Sequence, residues 1–363
     1  MFSKIWFYNL KTEMLSTLRS HTIFISIIFL YLTAYFIASR IFGAADKVTL
    51  TLYYKNVSVL GFWCTILFLI GHSIYVKFFV RPDDFIEYAI TDLQTKYLNT
   101  ERLCHLLIVV LLIPAFLSAF TSFKIILPQI HPFSWDMSLA KLDSYLHGGK
   151  QPWQLLQPIF GHPIVTSILS FFYYLWFFVM YGVLCWQAFS LNDKRLRMQF
   201  FLTYLLSWVI IGTISAIIFS SAGPCYYGYV VEGGQDIFEP LMNYLNSVNA
   251  SFHLKSIDIQ ELLWRAHNGK ETGLVKGISA MPSMHISMSF LFVLLGWRVN
   301  RIAGILFTLF GLIIFVGSIH LGWHYACDGY VALIMTTIIW LTVGFVLKRS
   351  NSFSAYAKQD SEE

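Results

Sequence analysis

Long apolar runs, interrupted by short polar segments, predict a helical membrane protein. A membrane-spanning helix needs about 20 mostly apolar residues, and eight stretches approach or reach that length. The predicted spans are 21–42, 57–79, 103–121, 163–190, 200–220, 283–297, 302–321 and 329–347. The sixth is the shortest, and we expect it to begin inside 277–282. The fold class predicted from this pattern is an all-α integral membrane protein with about eight transmembrane helices.

Composition supports this prediction and excludes several other classes of protein. The chain has 363 residues, of which 56% are hydrophobic and only 12% charged, whereas soluble domains carry about 25% charged residues. The net charge of +5 is too modest to indicate nucleic-acid binding. Five cysteines without a C-x-x-C pair indicate neither a disulfide framework nor a thiolate metal site. Because the net charge is modest, we expect no nucleic-acid partner.

Basic residues cluster on one side of the predicted topology. The positive-inside rule then places both termini in the cytoplasm and the loops 122–162 and 221–282 on the opposite side. Residues 2–20 mix aromatic and lysine residues and are expected to form an interfacial helix. The apolar run of the first span is longer than that of a cleaved signal peptide, so we expect an uncleaved anchor. The basic residues are Lys4, Lys11, Arg19, Lys194, Arg195, Arg197, Arg298, Arg301, Lys348 and Arg349.

Four ionisable residues from distant parts of the chain meet at one membrane face in this topology. His285 begins the sixth span, His320 ends the seventh, and His324 and Asp328 precede or begin the eighth. Ionisable groups at such positions are functional candidates because burying them is costly. A single histidine at a membrane edge is often an interfacial hydrogen-bonding residue. The spacing of His324 and Asp328 favours function, because residues four apart are neighbours on a helix.

This pairing predicts chemistry at a phosphorus atom. A carboxylate that holds one imidazole nitrogen makes the other a better nucleophile, so His324 could accept a phosphoryl group. His285 could then protonate the leaving alcohol as a general acid. Backbone N–H groups at the start of the sixth span, together with the Ser283 hydroxyl, could bind phosphate oxygens. This chemistry requires no cofactor and no metal.

Two motifs resemble those of a known family. The stretch 282–285, P-S-M-H, resembles the P-S-G-H motif of the type-2 phosphatidic acid phosphatase superfamily, and 318–328 resembles its last motif. The H-Y-x-x-D pattern of 324–328 is similar to the inositol phosphorylceramide synthase branch. Three further stretches are similar to its bacterial members. These stretches are 123–136, 142–149 and 221–228.

The resemblance covers about 103–347 and implies a six-helix catalytic domain there. Residues 1–102 are then an extension that holds the predicted interfacial helix and two extra spans, and the positive-inside rule makes 348–363 a cytoplasmic tail. In functional terms the resemblance implies His324 as the nucleophile, Asp328 as its partner and His285 as the acid. The active site would lie on the extracytoplasmic side of a bacterial inner membrane, with a lipid phosphate as substrate.

The chain departs from the family pattern in its phosphate-binding cations. The family's first motif, a Lys followed by an Arg-Pro pair, is absent ahead of the His285 loop. Lys77 and Arg81-Pro82 imitate it, but with the wrong spacing and on the cytoplasmic side. Lys124 is the first candidate to replace it, followed by Lys276 and then Arg265.

Candidates for binding an acceptor alcohol are Asp136, Asp143 and Tyr227. The two aspartates could alternatively cap helices in the loop, and we favour that alternative.

Several readings remain open. His320, His324 and Asp328 could form one metal-binding stripe of a metal-dependent membrane hydrolase, although Gly322 should break it. The cluster could also serve a non-catalytic transporter, but transporters usually place such charges near mid-membrane. Within the enzyme reading, water would make the protein a lipid phosphatase, whereas an alcohol such as inositol would make it a phosphotransferase. The resemblance tilts the choice towards transfer, and oligomeric state is unknown.

Overall fold

The protein is helical throughout the part that a computed structural model describes, residues 4–45, 48–269 and 277–349, where no β-strand occurs. The α-helices are α1 Lys4–Ser20, α2 Thr22–Ile41, α3 Tyr54–Tyr75, α4 Phe85–Asp92, α5 Thr100–Phe123, α6 Leu127–Ile130, α7 Asp136–Leu146, α8 Pro152–Phe160, α9 Pro163–Phe189, α10 Lys194–Val209, α11 Ala216–Ile218, α12 Tyr227–Val230, α13 Glu239–Phe252, α14 Lys255–His267, α15 Met284–Val299, α16 Arg301–His320 and α17 Ala326–Arg349. Wider π-helical turns occupy Val76–Val80, Leu93–Tyr97 and Ile210–Ser215, and Pro224–Tyr226 is a short 3₁₀ helix.

Within the described part of the chain, seven helical segments are long and apolar enough to cross a membrane, so the prediction of an all-α multi-pass membrane protein is confirmed. The segments are Thr22–Ile41, Tyr54–Val80, Thr100–Phe123, Pro163–Phe189, Lys194–Ile218, Arg301–His320 and Ala326–Arg349. The remaining predicted span, the sixth, is α15, which has 16 residues. That length covers about 24 Å, less than the thickness of a bilayer core of about 30 Å.

The predicted start of this short span inside 277–282 is wrong. The hydroxyl of Ser283 accepts a hydrogen bond from the backbone N–H of Ile286 and thereby caps α15. A serine at this position satisfies one of the N–H groups that lack a partner in the first turn of a helix. The helix therefore begins at Met284, and residues 277–280 before it are not helical.

The short helix α15 forms the centre of the bundle. It packs against α9, α10, α16 and α17, and Met288, Leu291, Phe292 and Leu295 on it are fully buried. By contrast, His72 is the only buried residue of α3, so α3 lies at the periphery. The predicted interfacial helix corresponds to α1, which packs against α5 and α2.

The helix order places the long connections at one end of the bundle, which we call the site pole. The connection between α5 and α9 and the connection between α10 and α15 both lie there, and they contain the short helices α6–α8 and α12–α14. The turn between α16 and α17 lies at the same pole. At the other end, the opposite pole, residues 190–193 and Asn300 form tight connections. The two long loops are therefore folded structures over the site pole.

Candidate active site

His324 and Asp328 form a hydrogen-bonded pair at the site pole. Helix α16 ends at His320, and the chain reverses through Gly322, whose φ of 73° suits a glycine. The Nδ1 atom of His324 lies 3.2 Å from Oδ2 of Asp328, which also accepts the backbone N–H of Tyr325 at 3.1 Å. Since a carboxylate accepts hydrogen bonds, we assign the proton to Nδ1. The other nitrogen, Nε2, then keeps a lone pair for chemistry.

His285 lies opposite this pair, in the first turn of α15. The centroids of the His285 and His324 rings are 6.2 Å apart. Ser283, fully buried, donates its backbone N–H to the Asp328 carbonyl oxygen at 3.4 Å, which joins the starts of α15 and α17. The structure thus brings together His285, His324, Asp328 and Ser283 from two separate motifs.

Aromatic side chains from α9 surround the His285 ring. Tyr173 stacks on it with a centroid distance of 4.4 Å, and the Trp176 centroid lies 4.2 Å away. The indole N–H of Trp176 donates to the carbonyl oxygen of His285 at 3.2 Å. The sequence analysis did not predict these residues, because the run 171–178 (F-F-Y-Y-L-W-F-F) resembles any lipid-facing segment. They lie at the site only because α9 packs against α15.

Burial determines the charge state of the groups at the site pole. It lowers the pKa of His324 to about 3, although the Ala280 carbonyl raises this pKa and the charge of Lys124 lowers it further. The imidazole is therefore neutral at pH 7 and available as a nucleophile. Lys124, half-buried at the C-terminal end of α5, lies within electrostatic range of both imidazoles. Burial lowers its own pKa to about 8.

The loop before α15 passes directly over Lys124. A side chain at Gly277 would collide with the Cβ and backbone of Lys124. This close packing positions the lysine beside the site. Lys276, the second predicted cation, lies outside the described residues, and Arg265 lies in the last turn of α14.

Asp136 and Asp143 contact protein atoms beneath the His324 segment. Asp136 accepts the N–H groups of Ala222 and Gly223 and the Tyr325 hydroxyl, the last at 2.9 Å. Burial raises the pKa of the Asp136 carboxyl, and hydrogen bonds from these backbone N–H groups and from the Tyr325 hydroxyl oppose that effect.

Asp143 accepts the N–H groups of Ala326 and Cys327 at 2.7 and 2.9 Å. Burial raises the pKa of this carboxyl too, against the same opposing effect of its backbone hydrogen bonds. Asp143 thus caps the start of α17 and not a loop helix, whereas the backbone donors of Asp136 lie in a non-helical segment. Tyr227, the third candidate for acceptor binding, is buried against Phe238.

His320 faces away from the His324 pair. Its Nε2 atom lies 2.9 Å from the Thr166 hydroxyl, which also contacts the Tyr244 hydroxyl at 2.8 Å. Because α16 ends at His320, the three residues of the proposed metal stripe do not share one helix face, and no group of three metal-ligand residues occurs within the described ranges. Arg81 follows the C-terminal end of α3 at the opposite pole and is exposed.

A comparison with protein families identifies the chain. A family model described as PAP2 superfamily matches residues 137–342, more than half of the chain. The chain belongs to the PAP2 superfamily. The range matched by the PAP2 model includes His285, His324 and Asp328, whereas Lys124 lies outside it. PAP2 membership indicates a membrane enzyme of the lipid phosphatase type that acts on a lipid substrate in the bilayer. No curated protein and no solved structure matches the chain.

Proposed function

We propose that this PAP2 protein cleaves lipid phosphate esters through a phosphohistidine intermediate. The observation that carries the proposal is the pair formed by His324 Nδ1 and Asp328 Oδ2, with the His285 ring 6.2 Å from the His324 ring. A nucleophile oriented by a carboxylate and an acid facing it are the two parts that the reaction needs. The site lies at the end of the membrane helices, the depth at which a lipid presents its phosphate.

In the first step, the lone pair of His324 Nε2 attacks the phosphorus atom. The N–P bond forms while the P–O bond to the lipid alcohol breaks, and His285 donates a proton to the leaving oxygen. Asp328 stabilises the positive charge that develops on the His324 ring. Lys124 offsets the negative charge of the phosphoryl oxygens, and N–H groups of the first turn of α15, next to the Ser283 cap, donate to them.

In the second step, water attacks the phosphohistidine. His285, now unprotonated, takes a proton from the water as the P–N bond breaks, which releases phosphate and restores both histidines. An alcohol could replace water, and transfer to inositol or a similar head group is the second candidate function. The motif resemblance to the inositol phosphorylceramide synthase branch of bacteria favours it. The contacts of Asp136 and Asp143 with protein donors favour hydrolysis, so hydrolysis is the primary proposal.

The proposed orientation puts the site pole on the extracytoplasmic side, in a bacterial inner membrane, with both termini in the cytoplasm. Basic residues at the opposite pole support it, including Lys194, Arg195, Arg298 and Arg301. Arg197 does not count among them, because its side chain is buried and hydrogen-bonded to His105. The domain layout of 1–102, 103–347 and 348–363 belongs to the same proposal.

Phosphate release by the purified protein from a panel of lipid phosphates, in the presence of EDTA, tests the reaction. We expect release by the wild type and its loss in His324→Ala, since the substitution removes the proposed nucleophile. His285→Ala should also be inactive on lipid phosphates but should still release the phenol of an aryl phosphate in one burst, because that leaving group needs no protonation whereas hydrolysis of the phosphohistidine still needs His285. His162→Ala, a change of an exposed histidine at the same pole, is the matched control.

Three results would count against this reading. If His324→Ala were as active as the wild type, His324 would not be the nucleophile. Complete inhibition by EDTA would favour the metal-dependent alternative. Release that falls when inositol is added, with radiolabelled inositol recovered as inositol phosphate, would establish transfer as the main reaction.

A further inference from the structure

Tyr173 has a hydroxyl at the site pole that is buried and unpaired among the described residues. It lies on α9 and is 5% exposed. Its ring stacks on His285 and runs almost parallel to that of Trp323, with a centroid distance of 5.9 Å and an angle of 8°. Trp323 directly precedes His324. Tyr173 therefore lies between the segments that carry the two histidines.

The Tyr173 hydroxyl has no hydrogen-bond partner among the described residues, although it is buried. Other buried tyrosines do have one. The hydroxyls of Tyr31, Tyr226 and Tyr325 contact Thr213, Gln260 and Asp136 at 2.8 to 3.0 Å. Leaving a buried hydroxyl unpaired costs free energy, whereas a phenylalanine would stack equally well without that cost. The packing of α9 thus gives no reason for the hydroxyl.

Three further buried polar atoms without a partner surround the same place. They are Nε2 of His285, Nε1 of Trp323 and Oδ1 of Asp328. The Tyr173 hydroxyl also lies within electrostatic range of Asp328. The tyrosine O–H, the indole N–H and an imidazole N–H at Nε2 of His285 are all donors. A group with several acceptor oxygens would satisfy these three donors together, whereas Oδ1 of Asp328 is an acceptor and is not satisfied by such oxygens.

We propose that the Tyr173 hydroxyl donates a hydrogen bond to a phosphate oxygen of the lipid substrate, with the Trp323 indole N–H as a second neutral donor. This inference rests on the proposed function and adds a phosphate-binding residue to it. A neutral donor is suited to this buried position, because it costs less to bury than a second cation beside Lys124. As negative charge shifts onto the phosphoryl oxygens, such a preorganised donor stabilises the transition state.

The substitution Tyr173→Phe tests the proposal by removing one oxygen atom and keeping the ring stacked on His285. We expect kcat/KM to fall on the order of 100-fold, the usual effect of losing one donor of this kind, with an unchanged or higher melting temperature. The loss should be equal for a lipid phosphate and an aryl phosphate, because the donor binds the phosphoryl group and not the leaving group. Trp323→Phe should give a smaller loss of the same type.

Tyr204→Phe is the matched control, because Tyr204 is a fully buried tyrosine whose hydroxyl donates to the sulfur of Met180, at 3.7 Å, away from the candidate site. It should leave kcat/KM unchanged. Full activity of Tyr173→Phe would overturn the proposal and would mean that water satisfies the hydroxyl.

Binding of inorganic phosphate, followed as a rise in melting temperature, separates this outcome from failure of the proposed reaction. In the His324→Ala background no turnover occurs, yet Tyr173→Phe should weaken phosphate binding there about 10-fold or more. An unchanged phosphate affinity would overturn the inference whether or not the wild type hydrolyses lipids. Activity retained by His324→Ala alone would refute the proposed reaction and leave the donor role to be judged by phosphate affinity.

Discussion

Burial has different consequences for the two titratable residues that lie outside the spans at the candidate site. His324 becomes a neutral nucleophile because its pKa falls to about 3, so its protonation does not change near neutral pH. Lys124, with a pKa lowered to about 8 by burial, loses its proton only slightly above neutrality. The cation proposed to bind phosphate is therefore lost in an accessible pH range, whereas the proposed nucleophile does not change its protonation there.

This difference predicts an alkaline limb in the pH profile of kcat/KM. Above pH 8 the protonated fraction of Lys124 falls, so phosphate binding should weaken. Lys124→Arg should move the limb to higher pH, because a guanidinium keeps its charge. Lys124→Gln should lose on the order of 100-fold in kcat/KM and show no limb. Lys150→Gln, an exposed loop lysine, is the control, and a limb that persists in Lys124→Gln would exclude this role.

At the scale of elements, the candidate site lies at the starts of two helices, α15 and α17. Ser283 begins α15 just before His285, and Asp143 of α7 accepts the first N–H groups of α17 just before Asp328. A carboxylate at a helix start satisfies unpaired N–H groups and interacts favourably with the helix dipole. The loop helix α7 therefore fixes the end of α17 at which the His324 pair lies.

We expect Asp143→Ala to reduce both stability and activity. Loss of the cap should cost about 1–2 kcal/mol of stability, and displacement of the α17 start should lower kcat about 10-fold or more, since small misplacements at a site are costly. Thermal unfolding and phosphate release measure the two effects.

Asp193→Ala removes a comparable cap, from α10 at the opposite pole, where Asp193 accepts the N–H of Leu196 at 2.7 Å. It should reduce stability alone. Equal loss of activity in both variants would show that the Asp143 effect is only global destabilisation.

At the scale of the whole molecule, the two poles differ in loop structure and in charge. The two folded loops cover the site pole, whereas the opposite pole has exposed basic residues and smaller connections, which are 81–99, 190–193 and Asn300. A lipid phosphatase with this arrangement acts on the leaflet that the folded loops face. The orientation of the chain therefore decides which leaflet supplies the substrate.

Labelling of intact expressing cells with a membrane-impermeant maleimide measures that orientation. We expect Lys150→Cys, at the site pole, to react and Arg298→Cys, at the opposite pole, to react only after lysis. The unmodified chain gives the background from its native cysteines, of which Cys104, Cys225 and Cys327 are buried and the other two partly buried. The reverse labelling pattern would overturn the proposed orientation without altering the geometry of the site.

By itself, the sequence determined the class of fold and the two motifs of the site. Apolar runs long enough to span a bilayer are a local property of the chain, and the spacing of His324 and Asp328 is local too, so both could be predicted. The exact start of α15 could not, because it depends on the capping contact of Ser283.

Only the tertiary structure decided what surrounds these motifs. Tyr173 and Trp176 look like lipid-facing residues until α9 packs against α15, and Asp136 and Asp143 find their backbone partners far away in sequence. Such contacts depend on which helix faces which, and the apolar periodicity of a membrane helix carries little information about that, because lipid and protein neighbours are equally apolar.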